Sequence, residues 1–121
     1  MTAGEQVQGI PNNPAYRVSP QFAGQTMLVS GACTLLGGGV VEITKAGVCA
    51  ITLAAPAQDG VQLAFSSKTA QAHTITITAG LHGLGASEDV LTFGGAIDDG
   101  CILQSLNGAW MVVATNNVTA A

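Results

Sequence analysis

The sequence predicts an all-β domain, a small β-sandwich or jelly-roll-like barrel, with an extended N-terminal arm. Three observations carry that reading. From Thr26 onward, apolar and polar residues alternate with a period of two. Glycine-bearing turn signals bound these runs at intervals of about 8–12 residues, the spacing of sandwiches and barrels. No stretch carries helical periodicity over a useful length.

The arm comes first, over residues 1–25. It holds Pro11, Pro14 and Pro20, every proline but Pro56. Three prolines within ten residues forbid a helix and favour extended backbone. Its large apolar residues stand apart: Ile10, Tyr16 and Phe22 lie six residues from one another. Side chains so spaced can anchor an extended segment on a neighbouring surface, each contributing on the order of 1.5–3 kcal/mol when fully buried. Ile10, Pro11, Tyr16, Arg17 and Phe22 are therefore the candidate partner-binding residues.

The domain follows over residues 26–121. Strands are expected near residues 26–30, 33–36, 40–44, 48–53, 61–65, 73–78, 90–93, 101–106 and 110–114. In 73–78, Ile75 and Ile77 face one way while Thr74, Thr76 and Thr78 face the other. Val61, Leu63 and Phe65 share a face, as do Ile51 and Leu53. β-Branched residues suit such a pleated, half-buried surface. Turns are expected at Gly37-Gly38-Gly39, Asp59-Gly60, residues 80–85, Asp99-Gly100 and Asn107-Gly108. Asn107-Gly108 is the clearest hairpin signal, a type I′ turn. On the last strand, Trp110 and Val112 share one face and Met111 and Val113 the other. Both faces are apolar, so the second face should need a cover, either another subunit or the arm.

Charge sets the next constraint. Three bases and seven acids make up 8% of 121 residues, for a net charge of −4, where an average domain of this size would carry roughly 30 charged residues. Residues 18–41 contain no ionisable side chain except Cys33. With only Arg17, Lys45 and Lys68 as bases, a nucleic-acid binder is excluded. The scarcity of Glu, Lys and Leu heptads excludes a coiled coil, and an apolar content of 48% excludes a disordered tail. No run of 18 or more apolar residues is present to form a spanning helix. Residues 1–9 lack a basic segment followed by an apolar run, so no signal peptide is expected. A surface this poor in charge predicts oligomerisation or docking on a larger assembly.

Catalytic chemistry finds little support. Cys33, Cys49 and Cys101 are odd in number and lack CxxC spacing. They read as small buried apolar residues made in a reducing cytoplasm. His73 and His82 lie nine residues apart with no convincing third ligand before Glu88 and Asp89, so no metal site is expected. His73 is expected to hydrogen-bond at a strand start. Glu88-Asp89 and Asp98-Asp99 flank turns and read as plain loop acids; neighbours on a strand point to opposite faces and form no acid–base dyad. Leu81-His82-Gly83-Leu84-Gly85 lacks the following helix and Lys-Ser/Thr of a phosphate loop. No Gly-x-Ser-x-Gly elbow occurs. No enzyme activity and no cofactor are expected.

The run from Ile51-Thr52-Leu53 through Asp59-Gly60-Val61-Gln62-Leu63, Phe65-Ser66-Ser67-Lys68-Thr69-Ala70 and Ala72-His73-Thr74-Ile75-Thr76, then Leu91-Thr92-Phe93-Gly94-Gly95 and Leu106-Asn107-Gly108-Ala109-Trp110-Met111-Val112-Val113, resembles a β-module of tailed-bacteriophage virion proteins. The likeness spans residues 48–114. Such modules occur in small head decoration (cement) proteins and in head or tail fibres. The resemblance implies a trimeric β-sandwich or jelly-roll-like unit without catalysis, and carries over no site residue. Between the two uses, a fibre needs a shaft such as a coiled coil, a collagen-like repeat or a β-helical repeat, and no strong repeat is legible. The expectation is therefore a capsid decoration protein. It would be a homotrimer on the outer capsid surface, clamping neighbouring major capsid subunits without nucleic acid or membrane. A trimeric fibre or receptor-binding tip is the alternative.

Overall fold

The computed structural model describes residues 24–77, 81–82 and 89–121. The candidate residues Ile10, Pro11, Tyr16, Arg17 and Phe22 lie outside these, as do Gly83, Leu84, Gly85 and Glu88. The described residues form strands and turns with no helix. In chain order the strands are β1 (Gly24–Met27), β2 (Gly31–Cys33), β3 (Gly39–Ile43), β4 (Ala50–Leu53), β5 (Gln62–Ser67), β6 (Thr74–Ile77), β7 (Leu81–His82), β8 (Val90–Phe93), β9 (Gly100–Leu106), β10 (Ala109–Asn116) and β11 (Val118–Ala120). All nine expected strands are present, with ends displaced by up to three residues. Gly24 and Gln25, assigned to the arm by sequence, already belong to β1. Two short strands were not expected, β7 inside the glycine-rich run and β11 near the C-terminus.

The strands build a two-sheet sandwich. Sheet I has the order β1-β3-β5-β9-β10-β7, and sheet II the order β11-β8-β6-β4-β2. The first six described strands alternate between the sheets. β1, β3 and β5 run parallel in sheet I, while β2, β4 and β6 run parallel in sheet II. The chain thus winds as a short two-sided coil before β8 to β11 close it with antiparallel pairing. This winding is of a β-helical kind, although no repeat is legible in the sequence. The coil was invisible as a repeat because its turns differ in length. Gly24 pairs with Val40 and Val40 with Ala64, whereas Gly31 pairs with Ile51 and Ile51 with Ile75. No constant period connects those positions.

Period-two patterning places the core between the sheets. Met27, Val41, Ile43, Leu63, Phe65, Leu103 and Trp110 face inward from sheet I. Cys33, Ile51, Leu53, Ile75, Ile77, Leu91 and Phe93 meet them from sheet II. Each large side chain removed from water here contributes about 1.5–3 kcal/mol. At the β9–β10 turn, Asn107 and Gly108 have φ of 54° and 77°, the positive pair that a type I′ hairpin needs. Further along that hairpin, Ile102 pairs with Ala114 but Leu103 with Val112, leaving Val113 as a bulge.

Candidate interaction surface

Polar side chains that the fold buries act as pins at its corners. His73, fully buried, precedes β6. Its Nδ1 accepts the Cys49 backbone N–H at 3.0 Å, and its Nε2 lies 3.0 Å from Thr69 Oγ1. The Thr69 hydroxyl donates to the Lys45 carbonyl at 2.9 Å. The Thr69 proton is thereby committed, so Nε2 carries the ring proton and donates to Thr69, and the imidazole is neutral. Burial holds its pKa below the ordinary value, with the nearby Lys45 charge adding to that. The expected strand-start hydrogen bond is therefore present, and it ties together the connections before β4 and β6.

Asp99 departs from the reading as a plain loop acid. It is buried, and its carboxylate accepts from Ala96 N at 2.8 Å and from Asn117 Nδ2 at 3.2 Å. These backbone and amide donors, Ala96 N–H foremost, hold its pKa below the usual carboxylate range. Gly94 is required beside it, because a Cβ there would collide with the Asn117 side chain. Asp98 is exposed at a φ of 72° and sits 3.9 Å from Lys68. So exposed a pair contributes little. Asp89 is exposed as expected. Sequence reasoning missed Ser105, whose buried hydroxyl donates to Gln58 O at 2.6 Å and accepts from Val61 N at 3.0 Å. It also gave no sign that Trp110 Nε1 donates to Ala54 O.

The three cysteines are free and buried. Desolvation raises the thiol pKa of Cys33 and Cys49 and pushes Cys101 up to about 12, which keeps them un-ionised and unreactive at neutral pH. Among the described residues no three His, Cys, Asp or Glu side chains cluster as metal ligands.

The outward faces of the sheets are the more informative surfaces. On sheet II, Thr52, Thr74, Thr76, Thr92 and Thr119 form a hydroxyl-bearing ladder, with Thr52 beside Thr76 and Thr74 beside Thr92. It solvates itself without charge. On sheet I, Val40, Ala64, Ile102 and Ala114 form one continuous row across four strands. Leu106 and Val113 stand half exposed near it, and Met111 is half-buried. Among the described side chains of these strands, Glu42 is the one ionisable group on that face. The second apolar face expected for the last long strand is therefore present, and the described residues do not bury it.

Beside this row is an open cavity of about 260 Å³, lined by Ala64, Ser66, Asp98, Ile102, Ala114 and Asn116. Gly100 is one of the residues that line it. A Cβ there would collide with the Phe65 carbonyl oxygen. Its apolar floor and polar rim can receive a protruding side chain from a partner.

No protein-family model and no curated protein matches this chain. What it offers is two sheet faces poor in charge, one rich in hydroxyls and one carrying a central aliphatic row.

Proposed function

We propose that the chain is a structural virion protein of a tailed bacteriophage, a capsid decoration protein. It works as a homotrimer on the outside of the head, made in the host cytoplasm, and clamps neighbouring major capsid subunits. The observation that supports this most is the apolar outer face of sheet I, centred on the row Val40, Ala64, Ile102 and Ala114. A domain of this size that leaves such a face open belongs in an assembly. A clamp that binds the closed shell and not its separated parts stabilises the shell by mass action. Three joined copies gain avidity from simultaneous engagement. The reading involves no catalysis and no cofactor, nucleic acid or membrane.

A second reading gains from a particular feature. The parallel winding of β1 to β6 is a short β-helical stack, the type of element whose apparent absence counted against a fibre. A trimeric fibre or receptor-binding tip is that reading. Copy number separates the two. Antibody labelling and quantitative mass spectrometry of intact particles should find hundreds of copies on the head. A handful at the tail would favour the tip and end the decoration reading.

A further inference from the structure

We infer that Asn107-Gly108 is a self-modification site, where the asparagine converts to aspartate or isoaspartate without an enzyme, and that the Asp59 carboxylate holds this reaction in check. Both residues are exposed at the tip of the β9–β10 hairpin. Asparagine is among the thermolabile residues, and glycine has no side chain to hinder its own backbone nitrogen. Once Gly108 N gives up its proton, it can attack Asn107 Cγ. The new N–Cγ bond closes a five-membered imide, the Cγ–Nδ2 bond breaks, and Nδ2 takes up a proton and leaves as ammonia. Water then opens the ring at either carbonyl, giving isoaspartate or aspartate with a new carboxylate. Water is the one added reactant, and nothing is oxidised or reduced.

The fold obstructs the first step. The Gly108 N–H donates to Asp59 Oδ1 at 3.2 Å. Removing that proton would leave an anionic nitrogen against a carboxylate, and like charges so close disfavour the ionised form. Asp59 is held there by its neighbours. The Gly60 N–H donates to Ser105 O at 3.0 Å, and the buried Ser105 hydroxyl donates to Gln58 O at 2.6 Å. The 58–60 turn is thus fastened to β9, the strand that leads into the hairpin. Pairing of Leu106 with Ala109 also restrains the backbone rotation that brings the nitrogen to Cγ. Asp59-Gly60 is itself open to the same ring closure, with water leaving in place of ammonia, but its nucleophile is the Gly60 nitrogen already bound to Ser105 O. Conversion of Asn107 would set a second carboxylate near that of Asp59. Isoaspartate would also add a carbon to the backbone of a two-residue turn, so the change would loosen the tip for good. None of this depends on the virion reading.

The test incubates the full chain and its Asp59→Ala variant at mildly alkaline pH and follows Asn107 by peptide mapping with mass spectrometry. The variant should lose the Asn107 amide about fivefold or more faster than the parent, as removal of one hydrogen bond to a charged acceptor implies. Asn116 and Asn117 should react at the same rate in both chains. Equal rates at Asn107 would overturn the role of Asp59, and no conversion of Asn107 in the urea-unfolded parent would remove the site altogether. Hydrogen exchange separates a guard of one nitrogen from a brace of the whole hairpin. Gly108 N–H should exchange about tenfold or more slowly in the parent than in the variant, while Leu106 and Ala109 keep their protection in both. Loss of protection at Leu106 and Ala109 as well would make Asp59 a brace and refute the part given to its charge.

Discussion

His73 concentrates much of what a single residue does here. Its neutral ring holds the Cys49 amide and the Thr69 hydroxyl at once. Its folded pKa lies below the unfolded value of about 6.5. Above pH 6.5 both states carry a neutral ring and its contribution is complete. As pH falls below that, the unfolded chain takes up the proton first, so stability declines until the folded pKa is passed. Thermal unfolding should therefore show a steady midpoint from pH 8 to 7 and a falling one from 6.5 to 5.5. Replacing His73→Ala leaves the Cys49 amide without its acceptor. It should cost about 1–3 kcal/mol at pH 8 and flatten the decline. A slope that survives the substitution would locate the sensitivity elsewhere. Asp99 works in the opposite charge sense: its carboxylate is stabilising above the unfolded pKa near 3.9 and loses that effect as pH falls through the depressed folded value. Asp99→Ala should lower the midpoint at neutral pH, checked by calorimetry, by leaving Ala96 N–H and the Asn117 amide unpartnered. The two residues were unequally legible. A histidine opening an alternating run suggests a backbone contact. An acid beside a turn looks solvated until Asn117, eighteen residues on, is seen to close over it.

At the scale of elements, the alternation of Thr74-Ile75-Thr76-Ile77 or Gln62-Leu63-Ala64-Phe65 fixes strand type and inward face, because side chains on a pleated strand alternate whatever the neighbour does. It says nothing about which strand lies alongside or in which direction. Parallel pairing of β3 with β5 joins Val40 to Ala64, and no local signal spans that distance. β7 and β11 were too short, at two and three residues, to display a period. The hairpin at Asn107-Gly108 was legible because turn chemistry is local. Gly108→Val, forced to a φ of 77°, should cost about 1–2 kcal/mol in urea unfolding. Gly100→Ala should cost more, since its Cβ meets the Phe65 carbonyl in the centre of sheet I and the strands must part to admit it. Equal losses from the two would mean that β5 and β9 can spread without penalty.

Across the whole molecule, the scarcity of charge pointed to a covered surface but not to which one. Composition counts residues without placing them, and threonine and valine both enter strands readily. Placement separates them, hydroxyls outward on sheet II and aliphatic groups outward on sheet I. Six strands spaced about 4.8 Å apart and some five residues deep give sheet I a footprint of roughly 400 Å², about half of one partner's share in a standard interface of about 800 Å² per side. An association built on so small a face has little reserve. A lysine at its centre would be desolvated without a counter-charge, and that should dissolve it. Ile102 is the place to put one, because it is partly exposed and its loss leaves the inward core intact. If the proposed trimer packs through this face, Ile102→Lys should keep the circular dichroism and thermal midpoint of the parent chain while sedimentation velocity shifts from trimer to monomer. Thr76→Lys, on the hydroxyl face, should then leave the proposed trimer whole. If the Thr76 variant dissociates and the Ile102 variant does not, the threonine ladder is the buried face and the aliphatic row meets water.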